Sequence, residues 1–352
     1  MIDDNILLSI IVPCYNSENF ILQGLRSILQ QPLRELELII IDDGSNDNTL
    51  SICKDYSAID PRVKVFHIEN HGVGYARNFG VDHALGKWLM FMDHDDLYLE
   101  NSLNEVLVEK LKVYENEDID VIFTSKCETD MMLQKPVQYQ TIINNHFDHI
   151  PELEFWIGIY KRQYLLENNI RFFEYRELDV ESGFRYRTVS KTEKIAIDPS
   201  ICFYLRRVYE SSVSNTWNLF TLHYVKARVY CELLEECNLK DREWIVGIIQ
   251  KEIFRFYKCC LRAKCNNSSQ IDWINKELRL IEKKSNKNIF GGDTKIRYAN
   301  RLYYVMANIA QKSMRFNDID CNKKAPLLLE DELIMSRLKV ISRYIQECVI
   351  SD

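Results

Sequence analysis

The sequence contains little of what is typical of membrane, secreted or nucleic-acid-binding proteins. No stretch reaches the roughly 18 consecutive apolar residues that a membrane-spanning helix needs. The first residues, MIDDNILLS, lack the basic region of a secretion signal. A net charge of −7 provides no basic field for nucleic acid. We therefore expect a globular, cytoplasmic protein with no nucleic-acid partner.

Cysteine patterns that bind zinc or build a disulfide framework are also missing. The 11 cysteines are scattered and odd in number, and none has the C-x-x-C spacing of a structural zinc site. This usage is typical of a reducing compartment. Hydrophobic residues make up 46% of the 352-residue chain, which is enough for a sizeable core.

Two kinds of segment alternate in the first half of the chain, and this alternation predicts an α/β fold. Apolar runs rich in Ile and Val are typical of buried strands, and the segments between them have apolar residues at helical spacing. The predicted strands are 7–13, 36–42, 63–68, 87–92 and 119–125. The predicted helices are 18–30, 47–58, 73–84 and 101–114. Strands separated by helices of this length indicate a mostly parallel sheet.

The last third of the chain has a different character, which predicts two domains. Before the change, we expect helices over 160–168 and 179–190 and a short strand over 201–207. After it, glycine and proline become rare and amphipathic helical spacing predominates. The sequence therefore predicts an α/β domain over residues 1–215 and a mainly α-helical region over 216–352.

Three of the predicted strands end in polar or aromatic residues. The first ends in VPCYN (12–16), the second in IDDGS (41–45) and the fourth in MDHDD (92–96). Ligands of open α/β sheets bind beyond the carboxyl ends of the strands, and parallel strands bring these ends to one edge. The three segments are therefore predicted to converge on one site.

The first two segments offer groups that suit a nucleotide base. Pro13 and Tyr15 provide a rigid turn and a flat ring on which a base can stack. Asp42 or Asp43 could accept an N–H from the edge of a uracil-like base. The alternative explanation of the second segment is a turn followed by a helix N-cap.

The fourth strand ends in a D-x-D pattern formed by Asp93 and Asp95. Alternate carboxylates at a strand end can hold a hard divalent cation, which prefers oxygen ligands and leaves room for substrate phosphates. The alternative is that Asp95 or Asp96 caps the next helix.

The segment HGVGYARNFG (71–80) lacks the dinucleotide-binding fingerprint, because Arg77 occupies the place of the third glycine. Arg77 could instead reach a phosphate or organise the acidic loops. An ordinary surface ion pair, which contributes little stability, is the other explanation.

In this order, the segments resemble the nucleotide-sugar-binding half of the family 2 glycosyltransferases, which have the GT-A fold. The resemblance rests on SIIVPCYNSENFILQGLRSILQQ, ELIIIDDGSNDNT, GVGYARNFGVDHALGKWLMFMDHDD and FWIGIYKRQYLLENNIRF. Each segment is modest alone, but the four together at this spacing are highly specific. The resemblance covers residues 7–215 and leaves the helical remainder without a family.

The resemblance implies roles for the matching residues. Pro13, Tyr15 and Asp42 would hold the uridine. Asp93 would face the ribose and the metal, and Asp95 would bind Mg²⁺ or Mn²⁺. Arg77 would lie near the nucleotide and the acidic loops. The same loops contribute three further nucleotide-sugar-binding candidates, Asn16, Asp43 and His94.

Later segments supply candidates for the diphosphate and the acceptor. Either Arg206 or Arg207 would lie near the diphosphate, and the alternative for both is a solvated strand edge. Trp156 matches an aromatic position near the acceptor, although a lone tryptophan is more often a core residue.

The catalytic base is where the chain departs from the family pattern. The family usually carries the base in a Glu-Asp pair before a helix, and the corresponding stretch FFEYRELDVESGFRYR (172–187) contains no such pair. Asp179 fits if Leu-Asp replaces Glu-Asp, and it is favoured over Glu181. Glu181 fits if Phe184 sets the register, and Glu177 is the third choice.

The resemblance implies an inverting glycosyltransferase that moves a sugar from a UDP-sugar to a glycan or lipid-linked acceptor, in bacterial surface polysaccharide synthesis. The C-terminal helices would serve the acceptor or a homodimer interface. The locally basic segment 283–304 would form either a peripheral membrane contact or a solvated helix face. The alternative function is a catalytically inactive nucleotide-binding or scaffolding protein, which the missing Glu-Asp pair favours and the D-x-D pattern opposes.

Overall fold

The structure is a computed structural model that describes residues 6–130, 138–140, 154–174, 181–208 and isolated positions between 223 and 252. The chain divides into two compact units, Met1–Thr216 and Trp217–Asp352. Most of the second unit, including the basic segment 283–304, lies outside the described residues, so the helices expected there stay predictions.

Within the described part of the chain, nine strands form one sheet. In chain order they are β1 (Leu8–Cys14), β2 (Leu36–Asp43), β3 (Val63–Ile68), β4 (Trp88–Phe91), β5 (Leu97–Tyr98), β6 (Val121–Asp130), β7 (Gln138–Gln140), β8 (Gly158–Lys161) and β9 (Ile195–Val208). The strands lie in the order β3-β2-β1-β4-β8-β6-β9-β5, and β7 pairs with β6.

Six helices connect these strands. They are α1 (Ile21–Leu29), α2 (Thr49–Ile59), α3 (Val73–His83), α4 (Glu105–Asn116), α5 (Arg162–Glu167) and α6 (Glu181–Ser190). The helix α1 illustrates why they form, since it buries Ile21, Leu25 and Ile28 at helical spacing against the sheet. Among the helices that the structure describes, none has the length and hydropathy needed to cross a bilayer.

The first four strands build the parallel part of the sheet that positions the site. Both β1 and β2 are buried along their whole length, as their continuous apolar runs predict. Their register pairs Cys14 with Asp42, so the two strands end side by side. The helix α3 packs tightly on this part, because a Cβ added at Gly80 would lie 2.5 Å from Ile11 Cγ2.

The second part of the sheet corrects the prediction of a mostly parallel arrangement. The pairs β4–β8, β6–β8, β6–β7 and β5–β9 are antiparallel, so the sheet is mixed. The sequence analysis missed β5, β7 and β8, which have two to four residues each and carry no clear alternation. The predicted strand over 201–207 covers only the second half of β9. The pairing of β9 with β6 is interrupted by a bulge near Ser125, and the residues before the bulge were not predicted as strand.

Candidate functional site

The loops after β1 and β2 meet at one edge of the sheet, as predicted. The Asn16 N–H donates to Ser45 Oγ at 2.9 Å, and the Asn46 N–H donates to Asn16 Oδ1 at 2.8 Å. Asn16 has φ of 48°, a left-handed conformation that asparagine tolerates better than most residues. Pro13 is buried in β1, whereas the Tyr15 side chain stands at the edge and is 43% exposed.

The adjacent carboxylates at the end of β2 have different partners. Asp43 accepts the backbone N–H groups of His71 and Gly72 at 2.8 and 2.9 Å, which fixes the loop before α3. Asp42 is fully buried, and its Oδ2 lies 2.6 Å from His67 Nδ1. Its Oδ1 is buried without a hydrogen-bond partner among the residues that the structure describes. A buried acceptor without a partner is costly, so Asp42 Oδ1 is available to accept an N–H.

A third aspartate, Asp47, bonds to the start of α2. Its Oδ1 accepts the Thr49 N–H at 2.9 Å, and its Oδ2 accepts the Glu18 N–H at 3.1 Å. The N-cap residue of α2 is Asn48, whose side chain makes no capping hydrogen bond.

The turn between β4 and β5, residues 93–96, is held by the last of its three aspartates. Asp96 is 5% exposed, and its Oδ1 accepts the Arg207 N–H at 2.7 Å while its Oδ2 accepts the Tyr204 hydroxyl at 2.8 Å. Burial, and then the charges of Asp95 and Asp93, raise the pKa of Asp96. The suggestion that Asp95 or Asp96 caps the next helix is wrong, because α4 begins later, with Asn104 as its N-cap.

Arg77 is not a surface ion pair, since only 2% of it is exposed. Its Nη2 donates to Asp93 Oδ1 at 2.8 Å, and its Nη1 lies 3.4 Å from Glu181 Oε1. The guanidinium also lies over the Phe155 ring, 4.4 Å from the ring centroid. Burial alone would lower the pKa of Arg77, but the charges of Asp93 and Glu181 outweigh it and raise the pKa. Arg77 therefore joins α3, the acidic turn and the start of α6.

The acidic turn has ligands that suit a hard divalent cation. The Asp93 and Asp95 side chains are both half-buried. Among the described residues, no group of three acidic, histidine or cysteine side chains could hold a metal. Mg²⁺ is commonly held by one or two carboxylates together with substrate phosphates, and the carboxylates of this turn fit that kind of site.

The two neighbouring arginines of β9 have different surroundings. Arg207 is 3% exposed, and its guanidinium bonds to the carbonyl oxygen of Asp95 and to Gln23 Oε1, so it is not on a solvated strand edge. Arg206 is about one-third exposed and lies 3.8 Å from Glu128. Of the pair, Arg207 is the one that contacts the acidic turn.

The two aromatic candidates, Trp156 and His94, have different surroundings. Trp156 is 6% exposed, and its ring centroid lies 4.3 Å from that of Tyr204, which matches the core alternative rather than an exposed acceptor surface. His94, in the acidic turn, is half-buried with its ring 6.5 Å from that of Phe20.

Tyr204, which bonds to the acidic turn, and His67, which bonds to Asp42, were not predicted from the sequence. No motif identifies either residue. Of the three candidates for the catalytic base, only Glu181 lies among the described residues. Glu181 begins α6 beside Arg77, whereas Asp179 and Glu177 lie outside the described residues.

Comparisons with known proteins point to one family. The family model for Glycosyl transferase family 2 matches residues 9–213, more than half of the chain. Glycosyltransferase GlyA of Streptococcus pneumoniae is 27% identical over 63% of this chain and 33% of its own length. The minor teichoic acid biosynthesis protein GgaA of Bacillus subtilis is 30% identical over 66% of this chain and 53% of its own length. The chain thus spans between a third and just over half of these relatives.

Solved structures show that the fold is shared more widely. S. aureus TarS 1–349 in complex with UDP-GlcNAc has a TM-score of 0.63 at 22% identity, covering 90% of this chain and 95% of that one. The mannosyltransferase PcManGT of Pyrobaculum calidifontis, in complex with GDP-Man and Mn²⁺, has a TM-score of 0.51 at 13% identity, covering 89% and 88%. The fold is the GT-A fold that the sequence predicts for the first unit.

Proposed function

The chain belongs to glycosyl transferase family 2, and from this premise we propose that it moves a sugar from a UDP-sugar to a hydroxyl of a glycan or lipid-linked acceptor. The observation that carries the proposal is the buried Asp42 carboxylate, whose Oδ1 has no partner among the described residues. It lies at the carboxyl end of β2, and β4, on the other side of β1, ends in the acidic turn. In this proposal the base lies beside β2 and the diphosphate lies beside the acidic turn.

Asp42 supports a donor base with a ring N–H, such as uracil, rather than cytosine. The uracil ring has an N3–H that can donate to a carboxylate, whereas cytosine has an acceptor at this position. TarS binds UDP-GlcNAc and PcManGT binds GDP-Man, so the shared fold alone does not choose the nucleotide. Tyr15, exposed at the same edge, provides a ring on which the uracil can stack.

The proposed reaction is a single displacement with inversion. A carboxylate takes the proton of the acceptor hydroxyl while its oxygen attacks the anomeric carbon, and the bond from that carbon to the diphosphate breaks. Glu181 is already paired with the buried Arg77, which supports a positioning role for it. We therefore favour Asp179 as the base.

The leaving diphosphate needs positive charge at the acidic turn. Asp95, with Asp93 beside it, would hold Mg²⁺ or Mn²⁺, which stabilises the departing oxygens as a Lewis acid. Arg207 places a fixed guanidinium next to the Asp95 carbonyl and would act on the same side. Arg206 stays a second candidate for contacting the diphosphate.

The acceptor is proposed from the relatives. GgaA is named for teichoic acid biosynthesis, which supports a role in surface polysaccharide synthesis. Under this proposal, residues 217–352 contribute to the acceptor, to a dimer interface or to a peripheral contact with the cytoplasmic face of the membrane.

A thermal-shift screen against UDP, GDP, CDP and TDP, each with and without Mn²⁺, tests the donor. A ligand at 100 times its dissociation constant stabilises a protein by about 2.7 kcal/mol, a readily visible shift. We expect the largest response with UDP and Mn²⁺ together, and loss of the Mn²⁺ effect in Asp95→Ala. The control is Asp55→Ala, the same change on the exposed face of α2.

Turnover of UDP-sugars with and without acceptor then tests the enzyme activity. Asp179→Asn should abolish transfer and keep UDP binding, while Glu181→Gln should keep measurable transfer. UDP binding by the wild type without transfer or hydrolysis of any UDP-sugar would favour the inactive scaffolding alternative. The reverse pattern in the two variants would move the base to Glu181.

A further inference from the structure

The strand β9 holds the acidic turn through one tyrosine that bonds to both ends of the turn. The Tyr204 hydroxyl donates to Asp96 Oδ2 at 2.8 Å. The same oxygen accepts the Asp93 N–H at 3.1 Å. One buried hydroxyl therefore fixes the first and the last residue of the turn that carries Asp95.

The surroundings of Tyr204 leave this hydroxyl little freedom. The side chain is fully buried, and the Trp156 ring packs against it at a centroid distance of 4.3 Å. On another side, the Tyr98 and Phe203 rings lie at centroid distances of 6.0 and 6.4 Å. A ring held by aromatic neighbours places its hydroxyl at one point, so the hydroxyl can set the shape of the turn.

Asp96 completes the same arrangement from inside the protein. Its second oxygen accepts the Arg207 N–H at 2.7 Å, so each of its oxygens has a bond within the protein. The proposed cation ligands are Asp93 and Asp95, and the Tyr204–Asp96 pair holds the backbone of the turn that carries them.

We propose that Tyr204 is a positioning residue for the divalent cation, a role that rests on the proposed function. By tying Asp93 to Asp96, it keeps the Asp93 and Asp95 carboxylates in the arrangement that the cation requires. Residues that orient metal ligands commonly change metal affinity by about 10- to 100-fold when they are replaced. Trp156 contributes indirectly, because its ring packs against the Tyr204 ring and holds it in place.

The test measures Mn²⁺ binding by the full chain with UDP present. The electron paramagnetic resonance signal of free Mn²⁺ reports how much Mn²⁺ stays unbound. Tyr204→Phe keeps the ring and removes only the hydroxyl, and it should weaken Mn²⁺ binding by about tenfold or more. UDP binding without metal should stay as in the wild type. The matched control is Tyr98→Phe, which removes another buried hydroxyl, 3.4 Å from the Phe91 carbonyl, and should leave Mn²⁺ binding unchanged.

Wild-type Mn²⁺ affinity in Tyr204→Phe would overturn the inference, as would an equal loss in Tyr98→Phe, which would indicate a general effect on the core. If Tyr204→Phe does not fold, Asp96→Asn decides. That variant keeps the shape of the side chain but removes its charge, and it should also weaken Mn²⁺ binding. A wild type that binds UDP equally well with and without Mn²⁺ would overturn the metal site of the proposed function, and this inference with it.

Discussion

At the scale of single residues, identical side chains a few positions apart have different environments. Asp43 is bonded to the backbone before α3, whereas the neighbouring Asp42 keeps one oxygen without a partner among the described residues. Asp96 resembles Asp43, because both of its oxygens are hydrogen-bonded within the protein. The sequence predicted that these aspartates cluster but could not separate their roles, because each role depends on a partner 25 or more residues away.

Asp42→Asn tests the assignment of the base. The amide keeps the size of the carboxylate but removes its charge and replaces one acceptor oxygen with an NH₂ group. Since a hydrogen bond to a charged group contributes about 1.5–3 kcal/mol, we expect UDP affinity to fall by about tenfold or more. CDP, whose cytosine N3 is an acceptor, should lose less or gain, and calorimetric titration with both nucleotides measures the change in preference.

The control for this prediction is Asp60→Asn. Asp60 lies before β3 begins, bonded to Arg62, so the same change is made away from the carboxyl ends of the strands. Equal losses of UDP and CDP affinity in Asp42→Asn would contradict the proposed contact with the uracil N3–H.

At the scale of elements, the sequence predicted best where short apolar runs alternate with helical segments. The first four predicted strands match β1–β4 to within one residue at each end. Of these, β1, β2 and β4 are buried along their whole length, whereas β3 is only partly buried. The strand β8 was missed because its four residues follow a short 3₁₀ turn and pass directly into α5. The extent of β9 depends on its bulged pairing with β6, which local pattern cannot reveal.

The helix α3 carries Arg77, whose guanidinium pairs with the acidic turn and with the start of α6. The contribution of these ion pairs to stability can be measured. Arg77 is buried, whereas Asp93 and Glu181 are about one-third exposed. Asp93→Asn with Glu181→Gln would leave a buried guanidinium without its two counter-ions, and removing a partner of a buried ion pair costs about 3–5 kcal/mol. Adding Arg77→Met to this double variant should recover part of the loss, because the buried charge is then gone.

Urea unfolding without ligand measures both variants. The control pair is Asp55→Asn with Glu109→Gln, which changes two exposed carboxylates on α2 and α4 and should alter stability little. If the triple variant is no more stable than the double variant, the loss of stability does not come from an unpaired buried guanidinium. That result would contradict the role of Arg77 as the charge that holds Asp93 and Glu181.

At the scale of the whole molecule, the proposed donor site and the family match occupy the same part of the chain. The family model covers residues 9–213, and the first compact unit ends at Thr216. All strand pairs that the structure describes lie within this unit. The family match ends at residue 213, before the second unit begins at Trp217, so the acceptor is the part of the proposed function that the sequence predicts least.

This division predicts separable activities. A fragment of residues 1–216 should fold, because about 200 residues suffice for a core of their own. It should bind UDP with Mn²⁺ as the full chain does, since the donor candidates all lie within it. Circular dichroism and UDP titration of the fragment check this expectation, and a folded fragment that fails to bind UDP would contradict it.

The same fragment then tests where the acceptor binds. If residues 217–352 serve the acceptor, the fragment should lose transfer to the acceptor while its UDP affinity stays unchanged. Undiminished transfer by the fragment would leave the acceptor site in the first unit and favour a dimer or membrane role for the second. Analytical ultracentrifugation and vesicle sedimentation of the full chain would then distinguish those two roles.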